Sequence, residues 1–243
     1  MNFENIVFNF KGKNVLVAGG SRGIGRGVVE GFIASGATVY YASRTYIKED
    51  IRAVHIKTDL SKEKDVHDLF KELDKTCQIH IVVNAAGINY SKTVNDISLR
   101  EWDKIISLNL RSVFIICKEA IKRMKKKGYG KIVNISSIAG RHRSIVSGAH
   151  YVASKAAVIG LTRQLAYEVA KFHINVNAVC PSQTLTEMLK KTMSVEQIKK
   201  LEEIIPLRRI ATVKEQVGPI LFLCSDASSY MTGTLLDVNG GQL

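Results

Sequence analysis

The chain has 243 residues, of which 46% are hydrophobic, so it fits one globular domain with a sizeable core and excludes a disordered or membrane-embedded protein. Its four cysteines are widely separated and form no Cys-x-x-Cys pair, so we expect a reducing compartment and no metal site. The formal net charge is +13, but lysine and arginine are spread over helical faces such as 118–131, and we expect no nucleic-acid partner.

The N-terminal segment, MNFENIVFNFKGKNVLV, carries acidic and amide residues where a secretory signal would need a basic start and a long apolar run. No later run of apolar residues approaches the length that spans a membrane. The sequence therefore predicts a cytoplasmic protein with no membrane partner.

Short apolar runs rich in Val and Ile alternate with longer segments of helical period, a pattern typical of βαβ units. We predict strands at 14–19, 38–43, 52–58, 79–85, 131–136, 174–180 and 235–240. We predict helices at 23–35, 61–75, 98–127, 150–172, 195–203 and 213–225. Because the strands are apolar nearly throughout, we expect helices on both faces of their sheet. The prediction is an α/β fold in which one domain, 1–243, holds a doubly wound, parallel seven-stranded sheet.

The first predicted strand leads into AGGSRGIGRG, a glycine-rich turn followed by an amphipathic helix. Gly19, Gly23 and Gly25 allow a tight turn and a close approach of the backbone to a ligand. The free N–H groups and the dipole at the start of the helix favour a pyrophosphate. The turn therefore predicts a dinucleotide site, although its spacing, G-x-x-x-G-x-G, departs from the common G-x-G-x-x-G pattern.

Four motifs follow one another along the chain: the glycine turn, NAAG at 84–87, the NISSIAG stretch around Ser137, and Tyr151-x-x-x-Lys155. In order and spacing they resemble the classical short-chain dehydrogenase/reductase family, from about Lys11 to the C-terminal DVNGGQ. The resemblance implies a Rossmann fold, a nicotinamide cofactor, and the interconversion of a ketone and a secondary alcohol by hydride transfer.

Tyr151 and Lys155 are about one helical turn apart, so both side chains emerge on the same face and can reach one ligand. An isolated tyrosine, with a pKa of about 10, is a poor acid or base at neutral pH. A lysine ammonium one turn away, helped by the positive charge of an oxidised nicotinamide, stabilises the phenolate and lowers that pKa. We therefore predict that Tyr151 exchanges the proton of the substrate oxygen, and the resemblance implies that Lys155 also binds the nicotinamide ribose.

The resemblance implies two further catalytic residues. Ser137 follows the fifth predicted strand in the family's Ser-x-x-Gly segment, and its hydroxyl would polarise the substrate carbonyl. Asn109, within the helix predicted at 98–127, matches the family's helix-interrupting asparagine, which implies a water held for proton relay. Asparagine is a mediocre residue for a helix interior, so its presence there invites an explanation.

The end of the second predicted strand indicates which nicotinamide cofactor binds. Proteins that prefer NAD usually carry an acidic residue there for the ribose 2′-hydroxyl, whereas a 2′-phosphate needs positive charge. The stretch YYASRT has no acid at this point but offers Ser43 and Arg44, and Arg22 of the glycine turn can reach the same corner. Two guanidinium groups bind a phosphate through charge-assisted hydrogen bonds, so we predict NADP(H) in preference to NAD(H).

The resemblance implies a larger set of cofactor contacts in the glycine turn, on the adenine side, in NAAG and after the sixth strand. Besides Arg22, Ser43, Arg44, Tyr151 and Lys155, they are Gly19, Ser21, Gly23, Ile24, Gly25, Asp59, Leu60, Asn84, Ala85, Ala86, Gly87, Pro181, Thr184 and Thr186. Ala18 and Ala85 stand where the family usually has polar residues. Each change removes one polar contact but no catalytic group.

The sequence leaves the substrate open, although the segment at about 183–206 is expected to close over it. Relatives that reduce 3-oxoacyl groups on a carrier protein usually have arginines where Gly128 and Phe172 stand here. The short stretch after the second strand resembles cis-diol dehydrogenases of the dihydro-dihydroxybenzoate type, but those use NAD with an acid where Arg44 stands. A biosynthetic ketoreductase acting on a small ketone or alcohol, free or carrier-bound, fits this combination of features.

Two hypotheses from other classes stand beside the enzyme. One is a non-catalytic NADPH sensor, which predicts the loss of Tyr151, Lys155 or Ser137, although all three are present. The other is an adaptor that uses the lysine-rich helix at 118–127 on an acidic surface. The resemblance further implies a homotetramer or a homodimer.

Overall fold

The computed structural model describes residues 8–46, 52–186, 189 and 194–243. Its strands are β1 Asn14–Ala18, β2 Thr38–Ser43, β3 Ala53–Lys57, β4 Ile81–Asn84, β5 Gly130–Ile135, β6 Ile174–Pro181 and β7 Leu235–Val238. They form one parallel sheet in the order β3-β2-β1-β4-β5-β6-β7, and the predicted seven-stranded Rossmann fold is confirmed.

Helices cover both faces of this sheet. They are α1 Gly23–Ala34, α2 Glu63–Thr76, α3 Leu99–Ile106, α4 Ser112–Met124, α5 Ile138–Arg141, α6 Ala149–Val169, α7 Val195–Ile204 and α8 Val213–Cys224. The helices α2, α4 and α6 pack on one face, and α1 and α8 pack on the other. Successive residues of a strand point to opposite faces, so in β1 Leu16 joins the first core layer and Val15 and Val17 join the second.

The sheet reverses its strand order at β1, which pairs with β2 on one side and with β4 on the other. Chain segments leaving the carboxyl ends of β1 and β4 therefore diverge, and a crevice opens between them. Two backbone hydrogen bonds fix its walls: Gly19 N donates to Ala42 O (2.8 Å), and Ala85 N donates to Ala18 O (2.9 Å). The glycine turn and the NAAG segment thereby meet at the edge where open α/β sheets bind ligands.

The structure divides the helix predicted at 98–127. α3 begins with a capping box formed by Ser98 and Glu101, and a π-helical turn, Ser107–Arg111, separates α3 from α4. The helix ends at Met124, so the prediction was wrong about residues 125–127, which form a turn. The short helix α5 was not predicted at all, because four residues are too few for a helical period to appear in the sequence.

The predicted substrate-closing segment, 183–206, is described only in part, since residues 187, 188 and 190–193 lie outside the described residues. Its second half forms α7, whose Leu201 packs with Ile205, Ile210 and Val146 in a third, smaller hydrophobic cluster. Val146 belongs to the loop between α5 and α6. This cluster joins the loop between α5 and α6 to the predicted substrate-closing segment.

Candidate active site

The glycine-rich turn joins β1 to α1 at the edge of the crevice. Gly19 has a φ of 88°, in the left-handed region that favours glycine. A Cβ atom added there would lie 2.6 Å from the backbone N and Cα of Ala86, so the turn rests directly on the NAAG segment. Only a glycine permits both the conformation and this close approach.

The N-terminus of α1 is suited to an anion. Its N-cap residue, Arg22, makes no side-chain capping hydrogen bond among the described residues, and the first turn of the helix holds no acidic residue. Within the described part of the chain, the N-cap side chain therefore occupies none of the first N–H groups of the helix, and the helix dipole adds partial positive charge. These features fit the pyrophosphate of a dinucleotide.

Replacing Gly19 with alanine is expected to lower the free energy of unfolding by about 2–4 kcal/mol, because the new Cβ is strained and meets the backbone of Ala86. Gly12 is the matched control, since it has a φ of 77° but nothing within 4 Å of an added Cβ. Its replacement by alanine is expected to remove about 1 kcal/mol. Urea unfolding measures both losses, and equal losses would contradict the close approach at Gly19.

The corner predicted to select the cofactor lies at the end of β2. Arg22 and Arg44 are both exposed. The pKa of Asp59 is lowered chiefly by a hydrogen bond from Ser61, whose Oγ lies 2.7 Å from Asp59 Oδ1, and in smaller part by the charge of Arg44. Arg44 therefore lies near Asp59, one of the predicted adenine-side residues.

Two of the predicted cofactor contacts use their side chains inside the protein. Ser43 is buried, and its Oγ donates a hydrogen bond to Thr45 O (2.7 Å). Leu60 is buried in the core layer that contains α2 and α4. The phosphate selection predicted at this corner therefore depends on the arginines more than on Ser43.

The NAAG segment is anchored by a chain of buried side-chain hydrogen bonds. Asn84 Nδ2 donates to Asn134 Oδ1 on β5 (2.8 Å), and Asn134 Nδ2 donates to Thr162 Oγ1 on α6 (2.9 Å). The chain links β4, β5 and α6 across the core. At the other end of the segment, Gly87 has no side chain, and a Cβ there would lie 3.6 Å from Lys155 Nζ.

Ser137, Tyr151 and Lys155 are brought together at the carboxyl end of β5. Ser137 is the N-cap of α5, and its hydroxyl is close enough to the Tyr151 phenol to act on the pKa of that phenol, which it lowers. Lys155 Nζ lies 5.7 Å from the centre of the Tyr151 ring and donates to Ile135 O at 2.7 Å. The structure thus brings a hydroxyl, a phenol and an ammonium together at one end of the sheet.

Gly140 explains the Ser-x-x-Gly spacing at this site. A Cβ added to Gly140 would lie 2.6 Å from the backbone carbonyl carbon of Lys155, so α5 reaches α6 only because this residue is glycine. Ser136 Oγ adds a hydrogen bond to Lys155 O (2.9 Å). The end of β5 that carries Ser137 is therefore fixed against the helix that carries Tyr151.

Burial sets the protonation of the phenol and the ammonium. It raises the pKa of Tyr151 above 10, although the Ser137 hydrogen bond acts in the opposite direction, and it lowers the pKa of Lys155 to about 8. The pKa of Tyr151 is therefore raised in the protein without its cofactor. The lowering predicted from Lys155 together with an oxidised nicotinamide concerns the cofactor complex and stays a prediction. Burial disfavours the charged form of a phenol, and this is the larger effect on Tyr151.

The π-helical turn directs Asn109 into the protein, where it is fully buried. Its Oδ1 accepts the N–H of Ile88 (2.9 Å), and its Nδ2 donates to Ile88 O (2.9 Å) and to Ser154 Oγ (3.2 Å). The side chain therefore holds the segment after NAAG against α6.

The predicted contacts after β6 reach the glycine turn. Pro181 is the last residue of β6, and Thr184 is buried, with its Oγ1 donating to Ser182 O (3.1 Å). The methyl carbon of Thr186 would lie 3.4 Å from a Cβ added to Gly23. The structure thus brings Thr186 beside the first residue of α1.

Sequence reasoning missed several groups that surround the predicted catalytic residues. Ser154 Oγ donates to Tyr151 O (2.7 Å). Cys180, interpreted as a small buried hydrophobe, lies beside the backbone N–H of Ser137, and burial raises the pKa of its thiol to about 11. His150 is fully buried directly before Tyr151. No periodicity or spacing marks such residues, because their roles depend on contacts made after folding.

No helix within the described residues is long and apolar enough to cross a membrane. In the same part of the chain, no three His, Cys, Asp or Glu side chains come together as a candidate metal site. The four cysteines are free thiols.

Comparison with known proteins finds relatives over nearly the whole chain. The family profile described as Enoyl-(Acyl carrier protein) reductase matches residues 18–242. The 3-oxoacyl-[acyl-carrier-protein] reductase of Aquifex aeolicus is 35% identical over 95% of this chain and 97% of its own length. The NAD-dependent glycerol dehydrogenase of Listeria innocua is 34% identical over 96% of this chain and 95% of its own length.

A solved structure is also similar to this chain over nearly its whole length. A candidate NAD(P)-dependent gluconate 5-dehydrogenase from Beutenbergia cavernae, with NADP bound at low occupancy, matches with a TM-score of 0.91 and 33% identity, covering 97% of this chain and 98% of that one. One similar protein thus contains NADP, and another is named for NAD. A nicotinamide cofactor is common to both, while the choice of nucleotide differs.

Proposed function

Because the chain belongs to the short-chain dehydrogenase/reductase family and is an oxidoreductase acting on a carbonyl or an alcohol, we propose that it is a biosynthetic ketoreductase that uses NADPH. One observation carries the proposal: Ser137, Tyr151 and Lys155 form a single cluster at the carboxyl end of β5. The glycine turn, which suits a pyrophosphate, lies at the same edge of the sheet.

The proposed mechanism divides the reaction between the cofactor and three side chains. When bound, the nicotinamide supplies the hydride. The Ser137 hydroxyl binds the carbonyl oxygen, and the Tyr151 phenol donates its proton to that oxygen as negative charge develops. Lys155, with a pKa of about 8, is mostly protonated at neutral pH and stabilises the phenolate that remains.

Reduction of a ketone requires the protonated form of Tyr151. Burial raises the pKa of the phenol, so Tyr151 is protonated at neutral pH and ready to act as an acid. Alcohol oxidation needs the phenolate instead. The positive charge of an oxidised nicotinamide, added to that of Lys155, would stabilise that form.

Replacing Arg44 with aspartate is expected to raise the Kd for NADPH by about 30- to 100-fold and to leave the Kd for NADH within about threefold. The physical reason is that Arg44 would bind the 2′-phosphate through charge-assisted hydrogen bonds, whereas an aspartate repels it. Arg22, exposed at the N-cap of α1, is the expected second ligand. Cofactor fluorescence titration measures both constants.

The matched control is Arg163→Asp, which makes the same charge change at an exposed position on α6. It is expected to leave both constants unchanged. Tighter binding of NADH than of NADPH by the unaltered protein would contradict the phosphate selection and favour an NAD-dependent enzyme.

The substrate we propose is a small ketone or its alcohol, free or carrier-bound. NADPH oxidation with 3-oxoacyl thioesters, keto sugar acids and cyclic diketones would identify the class, and the preferred substrate should reach a kcat/KM of at least about 10⁴ M⁻¹s⁻¹. Tight NADPH binding without turnover on any ketone would contradict the ketoreductase and favour the sensor. The homotetramer or homodimer stays a prediction.

A further inference from the structure

His150 lies in the first turn of α6, immediately before Tyr151, and is fully buried. Its Nδ1 accepts the backbone N–H of Tyr151 at 2.9 Å. N–H groups in the first turn of a helix have no partner four residues earlier and need another acceptor. Gly148, the N-cap, has no side chain, and its carbonyl oxygen shares the Tyr151 N–H at 3.0 Å. The imidazole is therefore the side-chain acceptor at this helix start.

The neighbours of His150 hold its ring in place. A Cβ added to Gly148 would lie 2.6 Å from His150 Cε1, and the ring of Tyr90 lies 6.1 Å away between centroids. Gly148 N donates to Tyr90 O at 3.0 Å, which ties the start of α6 to the segment after NAAG. The imidazole is thus packed among groups that leave little space for another orientation.

The second ring nitrogen of His150, Nε2, indicates that stability alone does not explain a histidine at this position. Because Nδ1 accepts a hydrogen bond, the proton of the neutral ring is on Nε2. Nε2 is buried and has no hydrogen-bond partner in the described part of the chain. A buried unpaired donor is destabilising, so an apolar ring would serve stability at least as well. What histidine adds is the acceptor at the Tyr151 amide.

We propose that His150 is a positioning residue for Tyr151. Both backbone polar groups of Tyr151 have side-chain partners: Nδ1 of His150 accepts its N–H, and Ser154 Oγ donates to its C=O. Asn109 Nδ2 in turn donates to Ser154 Oγ. The clamp fixes the residue whose phenol must meet the substrate oxygen beside Ser137. The role in catalysis rests on the function proposed above.

Three substitutions distinguish the role of Nδ1 from the role of Nε2. His150→Asn places an acceptor oxygen near the position of Nδ1, His150→Gln places its polar atoms near Nε2, and His150→Phe keeps the ring with neither. We expect kcat to fall about tenfold in the Phe and Gln variants and to stay within about threefold in the Asn variant. The KM and Kd for NADPH should stay unchanged in all three, because the clamp acts on Tyr151 and not on the cofactor.

Two further readouts need no substrate. Hydrogen exchange of the Tyr151 amide should accelerate by about three- to tenfold in the Phe and Gln variants, but not in the Asn variant. The pKa of the Tyr151 phenol in the NADP⁺ complex, measured by NMR of labelled tyrosine, should shift in the same two variants. If the unaltered protein reduces no ketone, the proposed function fails, whereas these two readouts still decide the role of His150.

Two results would overturn the proposal. One is a Phe variant with unaltered exchange, phenol pKa and kcat. The other is an Asn variant that loses as much as the Phe and Gln variants, which would assign the effect to packing. If the Phe variant does not fold, the comparison of Asn with Gln still carries the test.

Discussion

Tyr151→Phe is expected to lower kcat for ketone reduction by about 10³-fold, because the substitution removes the proton donor while keeping the aromatic ring. The ring that lies 5.7 Å from Lys155 Nζ remains, so the packing of the site is kept. Binding of NADPH should stay within about twofold, since the phenol acts on the substrate oxygen. Steady-state kinetics and a cofactor titration on the same preparation measure the two quantities.

Tyr167→Phe is the matched control for this substitution. Tyr167 lies near the other end of the same helix, α6, and is 85% exposed. Its replacement should leave kcat unchanged. A Tyr151→Phe protein that keeps more than about a tenth of the original kcat would show that the phenol is not the proton donor.

Lys155→Met is the second large effect. We expect kcat to fall by about 10³-fold, because the ammonium no longer stabilises the phenolate, and NADPH to bind about tenfold more weakly, because the ribose loses a donor. Methionine keeps the length and the apolar part of the side chain. The combined loss in kcat and in NADPH affinity distinguishes this variant from Tyr151→Phe, which should lose only kcat.

The chain offers a second buried lysine as the control. Lys131 is buried on β5, donates to Asn175 Oδ1 at 2.9 Å, and also has its pKa lowered by burial. It lies near the amino ends of the strands, away from the crevice. Lys131→Met should therefore change stability without changing kcat. Equal losses of kcat in both variants would assign the effect of Lys155→Met to burial alone.

The lowered pKa of Lys155 also predicts how stability depends on pH. The value is about 8 in the folded protein and has an ordinary value of 10.5, so between these values the unfolded chain binds more protons. Stability contributed by this group therefore rises with pH across that window and is constant below it. Urea unfolding measures the free energy of unfolding of the protein and of Lys155→Met across the window. The difference between the two should change in favour of the lysine as pH rises, because the other titrating groups are common to both proteins. A difference that changes in the opposite direction would contradict the burial of the ammonium.

The sheet was predictable because its strands are apolar nearly throughout and separated by helical segments. In β1, Leu16 packs on one face of the sheet and Val15 and Val17 pack on the other. A strand covered on both faces needs apolar residues in succession, and such a run can be recognised in the sequence. The π-helical turn at Ser107–Arg111 was not predictable as a shape, since it differs from a regular helix by one residue. Asn109 was its only signal.

The candidate site was predictable as a set of residues but not as a set of protonation states. Glycine spacing and Tyr151-x-x-x-Lys155 are local, so they can be read along the chain. The pKa of Tyr151 depends instead on how much of the phenol is buried, which no local pattern records. The buried hydroxyl of Ser43 and the acceptor Nδ1 of His150 are further examples, since both depend on partners fixed by folding.

Hydride transfer from bound NADPH to a ketone, followed as loss of NADPH absorbance in a single turnover, tests the role of Tyr151 most directly. The preferred ketone should be reduced by the unaltered protein, and Tyr151→Phe should bind NADPH equally well yet transfer hydride about 10³-fold more slowly. Transfer at the same rate in both proteins would contradict Tyr151 as the proton donor, and so would tight NADPH binding by the unaltered protein with no transfer to any ketone.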